Sequence, residues 1–287
     1  MEIYTENLQL PDVRLNIRHF VNAKNGAKKI FFLHGWMDAS PSWQFVVSAL
    51  QKKYHIIAPD WRGFGQSEWL NRIYPFREHL ADLHAILKHY SFNEPACLVG
   101  HSMGGMLALT YAGLKPENVD KVITLEGFGL TQKAPDFARP LLQNWLENRF
   151  IRPKMFVYPN ENAFKERLLI KNPRLKTEQA DFLAPFLSKK IENGVVFNAD
   201  PWHKAHLPQR FPVEEIKAIW QFVQAPVLWV QAQNSWVMEE FKHAPEDYFS
   251  RIALFAHIQT AQIENCSHML HHDQPEKVAA LIDLFFD

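Results

Sequence analysis

The run Ala96-Cys97-Leu98-Val99-Gly100-His101-Ser102-Met103-Gly104-Gly105-Met106-Leu107-Ala108-Leu109 decides the fold. Its first four apolar residues read as a buried strand and the apolar stretch beyond Gly105 as the opening of a helix, so Gly-x-Ser-x-Gly occupies a strand-to-helix turn. A turn this sharp forces strained backbone on Ser102. Side chains at positions 100 and 104 would collide with neighbouring chain, hence glycine at both. The strain lifts the serine Oγ above the sheet at a helix N-terminus, whose partial positive charge favours a developing anion. Ser102 is therefore expected to be a nucleophile; the plainer alternative is a serine that caps the helix.

Outward from this turn, short apolar runs recur at Ile30 to Leu33, His55 to Ala58, Val122 to Leu125, Val227 to Val230 and Ile258 to Ile263. Helical spacing separates them, as in Phe76, Leu80, Leu83, Leu87 and Tyr90, or Val213, Ile216, Ile219, Trp220 and Val223. Alternating strands and helices require crossovers, which predicts an α/β fold: a mostly parallel central sheet with helices on both faces. Glu2 to Leu8 and Val13 to Phe20 alternate around Pro11-Asp12 like an antiparallel hairpin at one sheet edge. The rhythm lapses after Gly129 and resumes near Pro212. Residues 131–212 are too many for a loop in a compact domain, so they are expected to form a helical cap over the sheet's edge, inserted into a core of residues 1–130 and 213–287. That segment carries 14 Lys or Arg against 8 Asp or Glu. Solvated helix faces account for this excess; attraction of acidic substrates is the sharper reading.

Composition removes other classes of function. Lys plus Arg and Asp plus Glu number 31 each, so the net charge is zero and no whole-molecule field draws nucleic acid or an anionic membrane. Cys97 and Cys266 stand in neither a disulfide framework nor a zinc spacing. The first ten residues lack the pattern of a signal peptide, and no apolar run is long enough to span a bilayer. A cytoplasmic protein with a small-molecule substrate, no nucleic-acid partner and no stable membrane association is expected.

Three motifs in order then carry a resemblance. Leu33-His34-Gly35-Trp36, Asp60-Trp61-Arg62-Gly63-Phe64-Gly65-Gln66-Ser67 and Gly100 to Gly105 resemble the HG motif, the D-x-R-G-x-G-x-S loop and the nucleophile elbow of the α/β-hydrolase fold superfamily. With Leu125-Glu126-Gly127 and Asn198-Ala199-Asp200-Pro201, the chain looks most like the serine-hydrolase-like branch. The resemblance implies a general base on a loop after the last strand, seven residues before a proline, a position that His268 fills ahead of Pro275. It also implies two oxyanion donors, the backbone N-H groups of Trp36 and Met103. In many relatives an aspartate follows the strand corresponding to Val227 to Val230, but Gln231-Ala232-Gln233-Asn234-Ser235 has no carboxylate. Glu126, at the end of the preceding core strand, is the expected substitute; Glu239, Glu240 or Asp247 folding back, or Asn234 orienting the histidine, stay open.

His268, His271 and His272 show no acidic or cysteine partner at ligand spacing, so no metal is expected, nor any cofactor. His203 and His206 read as cap residues, and the Asp60 loop as structural, since it lacks the lysine and Ser/Thr pair of a phosphate cradle. The implied activity is that of a serine hydrolase with a Ser-His-Glu triad, acting on a small to medium carboxylic ester, lactone or thioester through an acyl-enzyme. The alternatives are an acyltransferase or C-C bond hydrolase with the same triad, or a catalytically weak small-molecule receptor.

Overall fold

The computed structural model describes residues 1–22, 27–131, 134–209 and 212–287. The chain opens with β1 (Glu2–Gln9) and β2 (Arg14–Val21), then β3 (Lys29–Leu33), α1 (Gln44–Ala49), β4 (His55–Pro59) and α2 (Phe76–Tyr90). The central unit follows: β5 (Ala96–His101), α3 (Met103–Leu114) and β6 (Val119–Leu125). Next come α4 (Ala138–Asn148), α5 (Glu161–Lys171), α6 (Thr177–Leu187) and the two short strands β7 (Ser188–Ile191) and β8 (Gly194–Phe197). The chain closes with α7 (Val213–Trp220), β9 (Val227–Ala232), α8 (Trp236–Lys242), α9 (Pro245–Ile252), β10 (Ile258–Ile263), α10 (Leu270–Asp273) and α11 (Pro275–Phe285).

Eight strands form one sheet in the order β1-β2-β4-β3-β5-β6-β9-β10. From β4 to β10 every pairing is parallel, while β2 runs antiparallel to β4 and β1 to β2. The central strands are buried on both faces, which is why β5 reads as an unbroken apolar run. β1 is exposed along almost its whole length and carries Glu2 and Glu6, a charged edge unsuited to further pairing. One face packs Leu83, Ile86, Leu107 and Trp220 of α2, α3 and α7 against the sheet; the other packs Val46, Val47, Val278 and Ile282 of α1 and α11.

The segment between β6 and α7 departs from expectation twice. It contains strands as well as helices: β7 and β8 pair antiparallel through the two-residue turn Glu192-Asn193. It also lies over the carboxyl ends of the strands rather than the sheet's edge. Phe64, after β4, bridges Ala199, Phe182 of α6 packs edge-on to Phe45, and Gln179 donates to the His272 carbonyl at 3.0 Å. A small core of Phe164, Leu175, Ala180, Leu183 and Val195 closes on Ala39, just after β3, and fixes that placement. Of the basic residues counted in this segment, Lys133 and Arg210 fall outside the described residues.

Candidate active site

The turn after β5 is strained as its sequence requires: Ser102 has φ 51° and ψ −118°. Its N-H donates to the Leu125 carbonyl at 2.9 Å, which ties the elbow to β6. A Cβ on Gly104 would lie 2.1 Å from the Leu33 carbonyl oxygen, so only glycine lets α3 press onto the end of β3. A Cβ on Gly35 would meet the Ser102 Cβ at 3.2 Å and His101 Nδ1 at 2.9 Å, so the His34-Gly35-Trp36 turn sits directly against the elbow. Among the described residues, no protein acceptor takes the backbone N-H of Trp36 or of Met103, the first residue of α3. The Trp36 indole is half exposed.

His268 comes to the elbow from the loop between β10 and α10, with Nε2 at 3.0 Å from Ser102 Oγ. Two residues that the sequence reading passed over pin that loop. Asp273 accepts both the N-H and the O-H of Ser267 at 2.7 Å. His101 donates through Nε2 to the His268 carbonyl at 2.8 Å, which fixes the tautomer of His101. The indole of Trp236 stands 5.1 Å from the His268 ring, centroid to centroid, as an aromatic wall.

Glu126 is 2% exposed and sits in left-handed backbone, φ 56°. Its N-H donates to the Val230 carbonyl at 2.9 Å, and one carboxylate oxygen accepts the Ala232 N-H at 2.6 Å. The other oxygen lies 3.4 Å from His268 Nδ1, slightly beyond a well-formed hydrogen bond. Burial pushes the Glu126 carboxyl up to about 7, against the opposing hydrogen bonds from Ser235 and the Ala232 N-H. Burial also pushes His268 down to about 4. Burial therefore disfavours the charged form of each group in the resting site.

The other candidates for the acid lie elsewhere. Glu239 pairs with Lys242, Glu240 accepts from Thr131, and Asp247 pairs with Arg251 and Lys217. The Asn234 backbone N-H is used on the Cys266 carbonyl at 3.2 Å.

The remaining motif residues build structure. Asp60 accepts from the Ser40 N-H, the Gln66 N-H and the Asn16 amide, while Arg62 grips Asp82 with both ends of its fork. His203 is stacked between Phe64 and Tyr74, and His206 meets Asn144 at the surface. The expectation that His271 and His272 have no acidic neighbour does not hold in three dimensions. Asp38, from the turn after β3, lies buried beside them, with Oδ2 at 3.5 Å from His271 Nε2. Sequence spacing could not show a partner that the fold brings from far upstream.

With this geometry in place, comparison with known proteins gives the class. The family model described as alpha/beta hydrolase fold matches residues 28–275. The chain belongs to that family and is a hydrolase of the α/β-hydrolase class. It is similar to a serine hydrolase-like protein of Danio rerio, 27% identical over 269 residues that cover 90% of this chain and 81% of that protein. A soluble epoxide hydrolase of Corynebacterium is 23% identical, covering 93% of each chain. Among solved structures, a thioesterase domain from the curacin biosynthetic pathway superimposes with a TM-score of 0.86 at 22% identity, covering 98% of this chain and 99% of that one. At such identity it shares the fold.

Proposed function

We propose that this protein is a serine hydrolase that cleaves a small to medium carboxylic ester, lactone or thioester through an acyl-enzyme. The observation that carries the reading is the Ser102-His268-Glu126 line, 3.0 Å and 3.4 Å long, on a strained elbow. In this mechanism Ser102 Oγ attacks the carbonyl carbon while His268 Nε2 takes its proton. The imidazolium so formed is stabilised by ionised Glu126. The N-H groups of Trp36 and Met103 receive the oxyanion, and His268 returns the proton to the leaving group. Water, deprotonated by the same imidazole, then attacks the acyl carbon and releases the acid. Residues 131–212 act as the cap, and their helices over the strand ends give the substrate pocket its roof.

A fluorophosphonate tests this directly. The wild type should be labelled on Ser102 with one equivalent and lose ester turnover in parallel. A protein that is folded yet resists labelling, while binding small carbonyl compounds, would instead be a receptor. If labelling succeeds, products formed with an added alcohol separate hydrolysis from acyl transfer.

A further inference from the structure

A second polar cluster lies beneath the insertion, beside the site above but sharing none of its three side chains. Asp38, His271 and His272 are all at least 97% buried. Neither carboxylate oxygen of Asp38 has a hydrogen-bond partner among the described residues, although a buried carboxylate is costly without donors or a cation. Both imidazole Nε2 atoms point at one place, which the Ser42 hydroxyl marks: Oγ lies 3.4 Å from Nε2 of His271 and in short hydrogen-bond contact with Nε2 of His272. One ligand atom from each of the three residues lies within 4.8 Å of the others.

The spacing of Asp38 from His271 suits a small cation. Metal bonds of about 2.0 to 2.2 Å at tetrahedral angles hold neighbouring ligand atoms about 3.4 Å apart. Asp38 Oδ2 and His271 Nε2 stand 3.5 Å apart, long for a hydrogen bond and right for two ligands of one ion. We propose that Asp38, His271 and His272 bind one divalent first-row transition cation, with Zn2+ the best match for two imidazoles and one carboxylate, and that Ser42 Oγ becomes the fourth ligand once it gives up its short hydrogen bond with His272 and moves aside. The site needs no oxidation or covalent step. Helix α6 covers it through Gln179, which donates to the His272 carbonyl, and through the edge-on pair of Phe182 and Phe45, so loading requires that helix to lift. The ring of His101 stands between this cluster and His268, 4.3 Å from His271 and 4.8 Å from His268. A bound ion would thus be linked to the proposed base through two neighbouring imidazoles, those of His271 and His101.

The test uses the full chain, stripped with a chelator, equilibrated with Co2+ and read by its visible spectrum. The expected result is one equivalent bound, with the intense bands of four-coordinate cobalt, displaced by one equivalent of Zn2+. Asp38→Asn and His272→Gln should each weaken binding at least about tenfold, while surface His206→Gln leaves it unchanged. Because a buried substitution can disturb folding, Ser42→Cys gives a signal of opposite sign: Zn2+ bound at least about tenfold more tightly, and a sulfur-to-cobalt charge-transfer band. No saturable binding by the wild type would overturn the proposal. So would bands that persist unchanged in Asp38→Asn, or a folded Ser42→Cys protein with wild-type affinity.

Discussion

At the scale of single residues, the two ionisable members of the proposed triad are displaced toward neutrality, and this sets the pH dependence. Glu126 must be ionised to stabilise an imidazolium, and burial has moved its carboxyl up to about 7. In kcat/KM for an activated ester, activity should rise through about pH 7 and then level off. Glu126→Gln should lower the plateau on the order of 10² to 10⁴-fold and move the rising limb down toward the His268 value near 4. An unchanged limb would place the controlling group elsewhere. The same shift carries a cost in stability. A folded-state value above the unfolded 4.5 means the folded protein binds this proton more tightly, so its contribution is complete below about 4.5 and is lost as pH rises through about 7. Glu126→Gln should therefore raise the melting temperature at pH 8, by an effect on the order of 3 kcal/mol, and change it little at pH 4. Ser102→Ala should cut turnover by about 10³ or more without lowering stability; survival of activity within tenfold would dismiss Ser102. Ser102 and His268 were legible because each lies in a short local pattern, the elbow and the spacing to Pro275. Glu126 was legible only by elimination, from the missing carboxylate after Val230. His101, Asp273 and Asp38 were not, because their roles rest on backbone carbonyls, loop amides and imidazoles that only the folded chain brings near.

Among the elements, the sheet and its crossovers followed from apolar periodicity, since strands buried on both faces leave unbroken apolar runs. The β7-β8 pair escaped that reading. Its strands are four residues long, and Lys189, Lys190 and Glu192 face solvent, so no alternation builds up. The signal that could have found it is Asn193 beside Gly194, turn-favouring residues at the hairpin's tip, followed by Val195-Val196-Phe197. The placement of the insertion was equally hidden, because packing against Ala39 and Phe45 has no periodic trace. The tightest junction between elements is testable. Gly104→Ala forces a methyl to within 2.1 Å of the Leu33 backbone carbonyl, a group that cannot swing aside. Thermal unfolding should show a loss of about 2 kcal/mol or more, and ester turnover should fall with it as the elbow is pushed off β3. Wild-type melting would mean that α3 can shift without cost.

Across the whole molecule, the insertion leaves the sheet from the end of β6 and is held at its root by one buried cation. Arg251 of α9 is 1% exposed, donates to the carbonyls of Phe128 and Leu130, and is paired with Asp247. Arg251→Met keeps much of the volume but strands two carbonyls and leaves Asp247 to Lys217 alone, and should cost about 3 kcal/mol in a urea unfolding series. It should also open the chain near residue 130 to protease before global unfolding. A midpoint equal to wild type would show the clamp to be idle. Among the described residues no helix is long and apolar enough to cross a membrane.

The position of Glu126 has a bearing on how such a protein diversifies. Where the acid follows β9, a roof can be exchanged as a cassette and the catalytic groups stay behind in the host. Here the proposed acid stands on the strand end that launches the roof. A recombination crossover before Glu126 transplants acid and roof together, whereas one after Gly127 separates them and leaves the acid's left-handed backbone to be held by foreign chain. Chimeras of the first kind should keep their chemistry while changing substrate, and those of the second should more often lose both, the outcome expected if the proposed acid and the proposed roof travel as one block.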